Sequence, residues 1–101
     1  MRKNCQEVVR AWEIGQACSR ADSIWTDGRR IMSYGTVILE PVDGVGLVFN
    51  ATQYSNTTST HQNALRAYFG DRIRQVVDGV PRGTRCLDPY VEGREADEAA
   101  A

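Results

Sequence analysis

Apolar residues recur at helical spacing near both ends of the chain and gather into β-branched and aromatic blocks between them. Over residues 4–19, Cys5, Val8, Val9, Trp12 and then Gly15 or Gln16 fall on one face, which predicts an amphipathic helix. Asn4 and Glu7 stand at the spacing of a capping box. Gly15 weakens the last turn by about 1 kcal/mol relative to alanine. Trp12 reads as a core or core-edge residue of this helix.

From Ala21 to Tyr54 the pattern becomes strand-like. Ile24-Trp25-Thr26 is followed by Asp27-Gly28, a two-residue hairpin signal. Arg29 to Glu40 then carries Ile31, Met32, Tyr34, Thr36, Val37, Ile38 and Leu39 and is ended by Pro41. After a turn over residues 42–46, Leu47 to Thr52 forms the third strand. From Thr58 to about Val80 helical spacing returns, with His61, Leu65, Tyr68, Phe69, Ile73, Val76 and Val80 on one broad face. Ser59 and Gln62 form a second capping-box pair, with Thr58 as an alternative cap. Gly70 and the inward-facing Arg72 predict a break there, and Pro81 ends the helix. The expected fold is α+β: a three-stranded antiparallel meander with helices on one face, in the order α-β-β-β-α, the last helix broken near Gly70. Residues 1–91 are read as one domain and residues 92–101 as an acidic, disordered tail.

The charge balance modifies this picture little. The net charge is −1, and without residues 92–101 the remainder carries about +2, far from the basic excess of many nucleic-acid binders. No stretch approaches the ~18–20 consecutive apolar residues of a membrane span. Met1-Arg2-Lys3 is followed by Asn4, Gln6, Glu7 and Glu13 where a signal peptide needs an apolar core. Cys5, Cys18 and Cys86 are an odd, widely spaced set that reads as reduced thiols. A cytoplasmic location is therefore expected.

Residues 50–63 stand out as an almost unbroken run of polar side chains joining a strand end to a helix N-terminus. Such a junction collects hydroxyls and amides beside free N–H groups and the positive end of a helix dipole, which suits an anion or phosphate. Turn and cap chemistry accounts for one or two of these residues, and the run offers many more. Three pieces of this region, Asp27-Gly28, Ser33 to Ile38 and Tyr54 to Leu65, resemble a small uncharacterised domain family with members in phages, including phages of actinobacteria, in bacteria and in archaea. The resemblance spans roughly residues 23–69, and its most specific piece is the Tyr-Ser-x-Thr-Thr-Ser-x-His-Gln run from Tyr54 to Gln62. It implies a phage-type accessory protein and carries no catalytic residue with it.

The chemistry-bearing residues narrow the functions further. His61 is the only histidine, no nucleophile elbow, phosphate loop or dinucleotide fingerprint occurs, and no ligand cluster suits a metal. No cofactor is expected. A binding function is therefore expected, to a host or phage protein whose activity is modulated. The candidate surface comprises Tyr34, Thr36, Tyr54, Ser55, Thr57, Thr58, Ser59, His61 and Gln62, with Trp25, Met32 and Tyr34 as anchors on a sheet face or edge. The alternative is nucleic-acid binding, in which Arg29, Arg30, Arg66, Arg72 and Arg74 contact phosphates. An enzyme using His61 stands behind both.

Overall fold

A computed structural model describes residues 3–21 and 23–92; the expected disordered tail lies, apart from Glu92, outside the described residues. These form two α-helices, six strands in one sheet and two single turns of 3₁₀ helix. The α+β class is therefore as expected, while the element count and order differ. The helix α1 covers Lys3–Glu13, and strands β1 (Cys18–Ala21), β2 (Ile24–Thr26), β3 (Ile31–Ser33), β4 (Thr36–Val42) and β5 (Gly46–Asn50) come next along the chain. After them come α2 (Asn56–Phe69) and β6 (Ile73–Val77).

Both helices end at a glycine, α1 earlier than expected and α2 at the expected break. Gly15 takes φ +71°, and the N–H groups of Gly15 and Gln16 donate to the carbonyls of Trp12 and Ala11 at 3.0 and 2.8 Å. This Schellman closure stops α1 and frees residues 18–21 to become an edge strand. Gly70 ends α2 with φ +46°. The chain beyond it forms one 3₁₀ turn and β6 in place of the expected second helical piece. The sheet runs in sequence order from β1 to β6; neighbours are antiparallel except β5 and β6, which are parallel. A parallel pair needs a crossover, and α2 supplies it.

The long central run is two strands, not one. Ser33 pairs with Thr36 across a two-residue turn at Tyr34-Gly35. The register shifts between Ile31 and Met32, whose partners are Leu39 and Val37. Ile38 is the extra residue of this bulge, so Val37, Ile38 and Leu39 are all buried without simple alternation. The Asp27-Gly28 signal opens a four-residue connection, since Thr26 pairs with Ile31. The Asp27 carboxylate accepts the N–H groups of Arg29 and Arg30 at 2.9 and 2.7 Å and fixes this loop.

Two apolar clusters sandwich the sheet. Cys5, Val8 and Val9 of α1 and Leu65 and Phe69 of α2 pack with Ile24, Ile31, Leu39 and Phe49. Trp12 meets Phe69 edge to face at 5.1 Å, joining the helices, as its core-edge reading expects. On the opposite face Met32, Val37, Val48 and Val77 are covered by Val80, Leu87, Tyr90 and Val91. The segment after β6 therefore straps that face of the sheet. Buried Glu40 accepts Leu87 N–H at 2.7 Å, Arg30 donates to the Arg85 carbonyl, and the Gln75 amide exchanges two hydrogen bonds with the Glu92 backbone. Among the described residues no helix is long and apolar enough to cross a membrane, and the three cysteines are thiols.

Candidate functional site

The polar junction between β5 and α2 is built around Asn50, which is fully buried. Its amide donates to the Val37 carbonyl at 2.9 Å and to the Tyr54 hydroxyl at 3.0 Å, while its Oδ1 accepts Thr52 N–H at 2.9 Å. Every polar atom of this side chain therefore has a partner, as burial demands. Tyr54 in turn donates to the Val80 carbonyl at 2.5 Å. Gln62 holds the junction from above, its amide donating to the Asn50 and Thr52 carbonyls at 2.8 and 2.9 Å. Ser55, not Thr58 or Ser59, caps α2: its extended backbone lets Oγ accept Thr58 N–H at 3.2 Å.

His61 lies one helical turn further on and faces the sheet. Its Nδ1 is 2.9 Å from Ser33 Oγ, and Ser33 Oγ is 3.0 Å from Thr58 Oγ1. His61 thus meets Ser33 of β3. Ser33 is only 1% exposed, so the pair anchors α2 onto β3 with a buried hydrogen-bond chain.

Above this anchor opens a cleft of about 510 Å³ with three walls. One is the β3–β4 turn, with Ser33, Tyr34, Gly35 and Thr36; the second is Tyr54, Ser55, Thr57 and Thr58; the third is Arg82 and Gly83 of the strap. Tyr34 has φ +55°, the one non-glycine in the left-handed region among the described residues, and the residue is 50% exposed. Its backbone is held by Trp25 Nε1, which donates to the Tyr34 carbonyl at 2.7 Å, and by its own N–H, which donates to the Ser23 carbonyl at 3.0 Å. A bulky residue in this conformation is an outlier kept by its surroundings.

Six of the expected site residues, Tyr34, Thr36, Tyr54, Ser55, Thr57 and Thr58, meet in this cleft. Ser59 and Gln62 instead line a smaller groove with Arg66, and His61 lies beneath the floor. Arg29 and Arg30 are elsewhere: Arg29 donates to the Pro41 carbonyl at 2.9 Å, and Arg30 pairs with Asp27 at 3.2 Å and lies 4.0 Å from Glu40. Arg72 pairs with Glu13 at 2.8 Å, and Arg66 lies over the Phe49 ring. Of the anchors expected on the sheet face, Met32 is buried under the strap and Trp25 packs against the same cluster. Sequence reading missed Arg82, because nothing local shows that the strap folds back beside Tyr54. No group of three or more potential metal ligands occurs among the described residues.

Residues 12–76 match the model of a protein family whose function is unknown; the strap with Arg82 lies outside the matched residues. No curated protein and no solved structure matches the chain.

Proposed function

The chain belongs to the DUF8033 family, a family of unknown function, and on that premise we propose that it is a small binding protein that captures a segment of another protein in the three-walled cleft. The observation that carries this reading is the convergence of Tyr34, Thr36, Tyr54, Ser55, Thr57 and Thr58 on one open cleft. Ser55 caps the helix, and Thr36, Tyr54 and Thr58 hydrogen-bond within the fold, which leaves exposed Tyr34 and Thr57 facing the open space. Tyr34 adds a half-exposed aromatic in a conformation that costs stability, a combination that points to work done outside the fold.

The binding partner is a host or phage protein whose activity the domain modulates, and the domain acts as a phage-type accessory protein in the cytoplasm. Its small size, near-neutral charge and thiol cysteines support this, as does the resemblance of the Tyr54 to Gln62 run to a family with members in phages. Nucleic-acid binding is the weaker reading, since three of its five arginines, Arg29, Arg30 and Arg72, are engaged within the chain.

The test is affinity capture from host lysate with the wild type, Thr57→Trp and Arg10→Glu. Thr57 is exposed on the cleft wall, so tryptophan fills the cleft without touching the core. Arg10 lines the separate groove between the helices. A partner retained by the wild type and Arg10→Glu and lost by Thr57→Trp supports the reading. A partner indifferent to Thr57→Trp overturns it.

A further inference from the structure

Arg82, like Arg66, lies over an aromatic ring, and it differs from Arg29, Arg30 and Arg72, which are engaged within the chain. Arg30 is paired with Asp27 and Arg72 with Glu13, and Arg29 bonds a carbonyl. Arg82, among the described residues, makes no ion pair and no hydrogen bond; its guanidinium lies 5.9 Å from the centre of the Tyr54 ring. It is also the only charged side chain among the described residues that line the cleft, whose walls carry no carboxylate. A guanidinium held over an aromatic face at this distance keeps its planar fork of donors available for a carboxylate.

The loop presenting it is pinned on both sides. Val80 N–H donates to Thr52 Oγ1 at 3.0 Å and Gly83 N–H to Thr36 Oγ1 at 2.9 Å, while Val37 N–H donates to the Thr84 carbonyl at 2.8 Å. The backbone of Arg82 is therefore ordered before any ligand arrives, which removes part of the entropy cost of binding. The adjacent N-terminus of α2, which starts at Asn56, adds positive potential to the same space.

We infer that the cleft reads an acidic side chain, aspartate or glutamate, on the captured protein segment, with Arg82 as the residue that sets this specificity. The inference rests on the binding reading above. The carboxylate meets the Arg82 fork while neighbouring residues of the segment lie against the Tyr34 and Tyr54 rings.

The experiment uses a random-peptide library, with wild-type protein, Arg82→Glu and Tyr34→Ala as baits. The wild type enriches peptides bearing Asp or Glu. For a synthetic peptide so selected, Arg82→Glu, or alanine in place of the peptide's acid, weakens binding at least about tenfold, the scale of one charge-assisted hydrogen bond. Arg82→Lys retains part of the affinity, and Arg82→Glu prefers the peptide with lysine at that position. Enriched peptides without acidic residues, or indifferent to Arg82→Glu yet lost with Tyr34→Ala, overturn the inference and leave the cleft as a peptide site. No enrichment over bare support, or enrichment unchanged by both substitutions, overturns the binding reading with it. Displacement of the selected peptide by inorganic phosphate or a single-stranded oligonucleotide at lower concentration than by free peptide also overturns the inference.

Discussion

Replacing Tyr34 by glycine and, separately, by alanine isolates the energetic cost of its backbone from the contribution of its ring. Both variants delete the ring, so its lost contacts cancel in the comparison. Alanine at φ +55° keeps the clash between Cβ and the following carbonyl, which costs roughly 1–2 kcal/mol. Glycine removes that clash but has a freer unfolded chain, which returns roughly 0.4–1 kcal/mol. The glycine variant should therefore be the more stable of the two by about 0.5–1 kcal/mol, or roughly 2–8 °C in Tm for a domain of this size. Urea unfolding followed by tryptophan fluorescence measures it, and Trp25 reports directly because its indole N–H bonds the Tyr34 carbonyl. Both variants should lose the captured partner. An alanine variant as stable as the glycine variant would refute the claim that strain is stored at this turn.

The buried polar groups and the loop at Asp27 set three further outcomes. Asn50→Asp replaces a donor to the Val37 carbonyl with an acceptor, destabilising the fold by about 3 kcal/mol or more at neutral pH. Burial raises the introduced carboxyl's pKa above its unfolded value, so the penalty should shrink as pH falls through that raised value; a pH-independent penalty in urea titrations contradicts this. Glu40→Ala leaves the buried Leu87 N–H without its acceptor and should cost about 1–3 kcal/mol. Glu40→Gln keeps an acceptor and should cost less, with limited proteolysis of the strap ranking the variants in that order. At Asp27 burial pushes the carboxyl up, but the N–H bonds from Arg30 and Arg29 and the Arg30 charge outweigh it and hold its pKa below 3.8. The charge-dependent stabilisation at Asp27 is present above pH 3.8 and lost as pH falls through the lowered folded value. Wild type should therefore exceed Asp27→Asn in stability at pH 7 and converge on it at low pH; a constant gap counts against this reading.

The features legible in the sequence were mostly periodic and local. Val8, Val9 and Trp12 mark α1 correctly, and the junction residues around Tyr54 point to the wall of the main cleft. The misreadings have physical causes. Gly15 reads as a weak helical turn, but its positive φ makes it a terminator, and only the resulting Schellman bonds reveal β1. Phe69, Ile73, Val76 and Val80 fit helical spacing, yet Ile73-Arg74-Gln75-Val76-Val77 also suits a strand, and a free parallel edge beside β5 decides between them. Tyr34-Gly35 hides inside an apolar run because the tyrosine, not the glycine, adopts positive φ. Arg82 reaches the cleft only through long-range hydrogen bonds to Thr36 and from Tyr54, which no spacing rule encodes.

The most direct test of the cleft as the working surface is hydrogen–deuterium exchange of the protein with and without the peptide selected on it. Protection should concentrate at residues 33–36, 54–58 and 82–83, which form the three walls. Protection confined to the groove between the helices, around Val9 and Tyr68, with the three walls unchanged, would contradict it.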